Sequence, residues 1–185
     1  MSPELFYTKG GKKVLTKIDL CSMALLKLGE PAIQSLTDDS AAAQLSRTLF
    51  DTITDGLLAL YPWRFATKEF DLPRNTDGDF TIPSDVLRIT KCNGQIIGNR
   101  VISSSDSMSI TAVMRTTPDK FPSYFVSLVT TKLAMEFCIP LLGDSSLFRM
   151  LATLYESELQ SAKFIDSTTS PTQGITDFSL INARF

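Results

Sequence analysis

The apolar residues of this chain change their spacing at Pro62-Trp63. Before that point they recur every three or four positions: Ile18, Cys21, Leu25 and Leu28, then Leu45, Leu49, Ile53, Leu57 and Leu60. That is the period of one helix face. From Phe65 to Met114 they fall in short alternating runs broken by turn residues, the period of strands. After Pro118 and Pro122 the helical period returns and holds to Phe164. A chain that switches period and then switches back is expected to be α+β and mainly α. The expectation is a bundle of about four helices, a small antiparallel β insertion and an extended C-terminal tail.

Local signals set the boundaries. Helices are expected over 17–29, 41–60, 123–142 and 145–164, with the β region over 64–114. Thr16 or Asp19 can cap the first helix, and Gly29 with Pro31 stops it. Asp38, Asp39 or Ser40 starts the second, and Pro62 ends it. Arg47 and Asp51 stand one turn apart and can pair, as can Lys132 and Glu136. Within Val86–Cys92, alternation puts Leu87, Ile89 and Lys91 on one face and Val86, Arg88 and Thr90 on the other. Asn93-Gly94 and Gly98-Asn99 both read as hairpin turns. The third helix is apolar almost all round, so it is expected to be central or covered on two sides. On the fourth, Leu147, Met150, Leu151, Leu154, Leu159 and Ala162 form the apolar side. Arg149, Glu156, Glu158 and Lys163 form the wet one.

Three segments carry the candidate functional residues. Trp63, the one tryptophan, follows a proline at a helix-to-strand corner. Pro62, Trp63 and Phe65 are expected to form a buried packing hub there. Residues 1–15 make an N-terminal arm in which Leu5, Phe6 and Tyr7 are anchors and Lys9, Lys12 and Lys13 supply charge. The arm reads as a loose terminus or as a partner-binding segment. Residues 166–185 are small and polar, yet Ile175, Phe178, Leu180, Ile181 and Phe185 recur through them. Such spacing suits a tail that orders on a partner or packs back on its own domain, which is taken as 16–165.

The chemistry of the side chains narrows the function. There is no histidine, which removes the commonest general base and metal ligand together. Cys21, Cys92 and Cys138 are scattered, with no CxxC spacing, and read as reduced thiols. No phosphate-cradling glycine loop and no nucleophile elbow occurs. Asp77 and Asp79 flank Gly78 without the further ligands of a calcium loop. A non-enzyme with no cofactor and no metal is expected. The net charge of −2 and pI near 5.2 lack the basic excess of a dedicated nucleic-acid binder. No apolar run long enough for a bilayer and no signal peptide stand out. Synthesis in the cytoplasm and no membrane partner are therefore expected.

The order of the pieces resembles a known family. Leu28-Gly29-Glu30-Pro31 ends a short helix, and "SLTDDSAAAQL" leads into a long one. That helix ends in "ALYPWRFATKEFDL", followed by "FTIPSDVLRI". These motifs, with Pro62, Trp63, Phe65, Ala66, Pro83, Asp85, Leu87 and Arg88 as matching residues, are similar to the head–tail adaptor proteins of tailed bacteriophages. The podovirus tail tubular protein A and related head-completion adaptors belong to that group. The resemblance covers roughly residues 16–165; the lysine-rich residues 1–13 match nothing in it. It implies a structural virion protein at the head–tail junction. Copies of the chain would form a ring, usually of twelve, beneath the portal protein. The ring would hold the next tail or nozzle protein below and line a conduit through which DNA passes without sequence recognition. It also implies that the C-terminal tail docks on the portal. Two other readings stand beside it. One is a DNA-packaging or nucleic-acid-binding module of the small-terminase kind, supported by the basic arm. The other is an α+β scaffold unrelated to viruses.

Overall fold

The computed structural model describes residues 14–168. Its four helices are α1 (Lys17–Lys27), α2 (Ala41–Leu60), α3 (Ser123–Leu142) and α4 (Ser145–Thr168). Six strands lie between α2 and α3: β1 (Thr67–Leu72), β2 (Phe80–Thr81), β3 (Val86–Cys92), β4 (Gln95–Ile97), β5 (Arg100–Ile102) and β6 (Met108–Met114). A short 3-10 turn at Pro118–Lys120 leads into α3. The chain is therefore α+β and mainly α.

The helix ends follow from local chemistry. Thr16 and Asp19 form a reciprocal capping box, so both candidates take part in starting α1. Gly29 adopts a left-handed φ of 78° just after that helix, a conformation that costs glycine nothing. Ser40 caps α2 by accepting from the Ala43 amide. Asp144 accepts from the amides of Ser146 and Leu147 at the start of α4. Gly143, at φ 64°, closes α3.

α3 is the central helix, with α1, α2 and α4 packed around it. Phe125, Leu128, Leu133, Phe137 and Cys138 along it are fully buried. By length and composition this helix could cross a bilayer, contrary to the expectation from the sequence. Its wrapping by the other helices accounts for its apolar character. α2 turns a different face inward from the one expected. Ala43, Ser46, Phe50, Thr54, Leu57 and Leu58 are buried. Leu45, Leu49 and Ile53 are half-buried, and Leu60 is exposed. The small and hydroxylated positions hid this inner face from a count of large apolar residues, because Ala43 and Ser46 let α2 approach its neighbours closely. Thr54 stays satisfied by donating to the Phe50 carbonyl at 2.7 Å. Arg47 and Asp51 do not pair: Asp51 meets Lys17 at 2.5 Å, and Arg47 donates to the Leu36 carbonyl. Lys132 and Glu136 do pair, at 2.6 Å.

The β region is two sheets, where one was expected. β1-β6-β3 and β2-β5-β4 are both three-stranded and antiparallel. Between them Leu72, Phe80, Val101, Met108, Ile110 and Ala112 make a second small core. β3 departs from simple alternation because its register with β6 shifts twice, at Val86/Arg88 and at Ile89/Lys91. A register shift of this kind moves side chains between faces. Val86, Ile89 and Cys92 consequently pack on the second core, while Leu87 reaches the main one. Gly98 turns the β4–β5 hairpin at φ 59°. Asn93-Gly94 is not a hairpin turn, since β3 and β4 belong to different sheets. A Cβ on Gly94 would lie 2.5 Å from a Val101 methyl and 2.8 Å from the Ile102 carbonyl oxygen. This glycine is there for close approach.

Candidate functional site

The best-defined constellation surrounds Trp63. Pro62 ends α2, and the chain turns so tightly that the amides of Ala66 and Thr67 both donate to the Trp63 carbonyl. The indole is fully buried and its Nε1–H donates to the Leu57 carbonyl at 2.8 Å. That bond satisfies one of the free carbonyls at the end of α2. Arg88 satisfies two more, donating to the carbonyls of Ala59 and Leu60 at 3.1 and 3.3 Å. Tyr61, Phe125 and Phe65 surround the indole, with ring centroids 4.9, 5.1 and 6.4 Å away. The aromatic chain continues through Phe65–Phe125 and Phe121–Phe125 contacts, each 4.9 Å. Trp63 is thus buried at the centre of this aromatic cluster, with Phe65 half-buried beside it. Pro62 itself is exposed: it shapes the corner and does not fill it.

Asp166 completes the corner. It is 1% exposed and lies near the end of α4, past the residue where that helix was expected to stop. Both its oxygens accept from the Arg64 amide, at 3.1 and 3.2 Å, and one accepts from the Tyr124 hydroxyl at 2.6 Å. Burial, followed by the Asp166 bond, raises the Tyr124 pKa. Lys163 lies over the Tyr61 ring, 5.9 Å from its centroid. The last turns of α4 are thus fastened to the α2–β1 corner and to the start of α3. The sequence carried one signal for this. Asp166 continues the inner face of α4 four residues after buried Ala162, an unusual place for a carboxylate unless it is bonded. The boundary at 165/166 hid it by assigning Asp166 to the tail.

The cleft bordered by Arg64, Phe65, Lys120, Phe121, Tyr124 and Asp166 has a volume of ≈ 410 Å³, but its one buried carboxylate already serves the fold. Among the described residues no three His, Cys, Asp or Glu side chains are grouped to hold a metal ion. The thiols of Cys21 and Cys138 are buried within the main core. Burial pushes the Cys21 thiol up to about 11, with the neighbouring Ser46 hydroxyl pulling the other way. A thiol held protonated is a poor nucleophile.

What the described residues do offer is uncovered apolar surface: besides Met23 and Leu26 on α1, it lies in three places. Ile96, Ile97 and Ile102 are exposed on the β4–β5 hairpin, and β4 is an edge strand. Ala41, Leu45, Leu49 and Pro140 border a shallow groove between α2 and the end of α3, with exposed Ile139 beside Pro140. The third place is the outer side of α4. Met150 and Leu154, expected on its apolar side, face away from the bundle together with Phe164 and Ile165. Glu158, expected on the wet side, is turned partly inward, 3.9 Å from Lys27. Leu151 and Ala162 carry the inner face. The arm residues Leu5, Phe6, Tyr7, Lys9, Lys12 and Lys13 lie outside the described residues. So do the tail residues Ile175, Phe178, Leu180, Ile181 and Phe185.

Compared with known proteins, the chain matches no protein-family model and no curated protein.

Proposed function

We propose that this chain is a non-catalytic assembly protein, the head–tail adaptor of a tailed-phage particle. In that role it forms a ring beneath the portal protein, joins capsid to tail and surrounds the path of the DNA. The observation that carries this reading is the pair of unlike apolar surfaces on opposite kinds of element. One is the β4–β5 edge hairpin with Ile96, Ile97 and Ile102; the other is the α2–α3 groove with Leu45, Leu49 and Pro140. A two-fold dimer joins like patches, whereas a closed ring joins two different ones head to tail. A short edge strand and an apolar groove are a suitable pair for that. The motifs from Leu28 to Pro31 and from Leu60 to Arg88 support the same reading, since they build the helix stop and the Trp63 corner on which the hairpin-bearing insertion stands.

The partners in this proposal are neighbouring copies, the portal above and a tail or nozzle protein below, with the virion as the site of action. The experiment is mass and shape by light scattering and negative-stain microscopy, for the chain alone and with its cognate portal. Monomers or small oligomers that become rings on the portal are the expected result. Failure to bind portal, together with binding to DNA that weakens steeply with salt, would overturn it in favour of a packaging module.

A further inference from the structure

The outer face of α4 fits neither surface used above, and it has an occupant within reach. Met150, Leu154, Ser157, Ser161, Phe164, Ile165 and Thr168 follow one another at helical spacings on that face. Met150 is 63% exposed, Leu154 42%, Phe164 68% and Ile165 43%. Glu158, one turn from both Leu154 and Ser161, borders this row but is turned toward Lys27, 3.9 Å away. We propose that it is the docking surface for the chain's own residues 169–185, bound in cis.

Three features favour this occupant. The first is area. From Met150 to Ile165 the face is about 22 Å long, and a helix is about 10 Å wide. Viewed flat, that is a strip of roughly 220 Å². It is about the footprint of one extended peptide. The second is position. Thr168, where the described chain ends, lies on this same face, and Thr169-Ser170-Pro171 follows at once. Ser and Pro suit a reversal of direction, so the continuing chain starts at one end of the surface it would cover. The third is reach and composition. Ile175 to Phe185 extends to about 33 Å at roughly 3.3 Å per residue, enough to pass back along the whole face. The segment carries apolar residues at 175, 178, 180, 181 and 185 and only two charges, Asp177 and Arg184. Ser157 and Ser161 are small, so the row is lowest midway, where a larger side chain can lie across it.

This inference does not depend on the adaptor reading. It has a consequence for it nonetheless: a tail held in cis hides the apolar face of the free subunit, and a partner that takes the tail uncovers it.

The test is a paramagnetic one on the full chain. Cys92→Ser with Ser179→Cys places a single accessible thiol in the tail for a nitroxide, since Cys21 and Cys138 are buried. The methionine methyl groups are ¹³C-labelled and observed by NMR, with the labelled chain diluted into excess unlabelled chain. The Met150 resonance is expected to lose intensity several-fold, while those of Met23 on α1 and Met135 in α3 keep theirs. Adding Leu154→Asp should restore the Met150 signal and leave Trp63 fluorescence unchanged. An unaffected Met150 overturns the proposal. So does broadening seen only when nitroxide and ¹³C are on different chains, which would assign the face to a second copy.

Discussion

At the scale of single residues, Trp63 and Asp166 matter most, and for different reasons. Trp63 contributes ring area and one hydrogen bond in a fully buried place. Trp63→Ala is expected to cost about 3–5 kcal/mol, as large-to-small core substitutions do. Trp63→Phe keeps most of the packing but orphans the Leu57 carbonyl, and should cost about 1–3 kcal/mol. Urea denaturation of the two variants separates packing from bonding. Cys21 gives a pH dependence. Its folded pKa is raised by burial from 9.0 to about 11. The protonated thiol is therefore the form the fold prefers. Stability from this group is complete below about pH 9 and falls as pH rises through about 11. Tyr124, raised from 10.0 in the same direction, adds to the loss above about pH 10. Cys21→Ala should flatten the alkaline limb between pH 9 and 11 in denaturation curves, and alkylation of the native protein should reach half-buried Cys92 first.

At the scale of elements, α4 and the second sheet are where the chain differs most from its sequence pattern. α4 runs on to Thr168, so the tail begins three residues later than composition suggests. A cut after Thr168 removes only the proposed contacts of residues 169–185 with α4 and should lower the thermal midpoint slightly. A cut after Phe164 removes Asp166 and leaves the Tyr124 hydroxyl and Arg64 amide without their acceptor. It should cost about 1.5–3 kcal/mol, the usual worth of a hydrogen bond to a charged group. Calorimetry on the two truncations decides this. In the second sheet, Gly94→Ala forces a methyl against Val101 and the Ile102 carbonyl. It should destabilise the protein by about 1–3 kcal/mol, whereas Gly56→Ala, where a Cβ meets nothing within 4 Å, should not. The turn at Gly98 was legible because its chemistry is local. The division into two sheets was not, because it depends on which strands β5 and β6 choose as partners.

At the scale of the whole molecule, the alternation of periods was enough to read the class of fold, and α3 could be read as central from its all-round apolar character. Which face of α2 or α4 points inward could not be read. Both helices carry more large apolar residues than one face can hold, and the surplus on the surface is what the assembly proposals use. The candidate site was legible at Trp63 and illegible at Asp166 and Arg88, whose partners come from distant segments. For the ring, Ile97→Lys on the hairpin should leave monomer stability within about 0.5 kcal/mol, as exposed substitutions do. The same change should lower the yield of rings on the portal, counted in micrographs.

The bonds from Asp166 to Arg64 close a loop of 102 residues, and the one to Tyr124 closes a loop of 42. Loops of that length close late, after the entropy of bringing their ends together has been met by other contacts. The fastening of α4 to the Trp63 corner is therefore expected to lock after the transition state. Its loss should appear in the unfolding limb: Asp166→Asn should speed unfolding in stopped-flow experiments and leave the refolding rate nearly unchanged. The corner would then set how long the folded chain persists more than how quickly it forms.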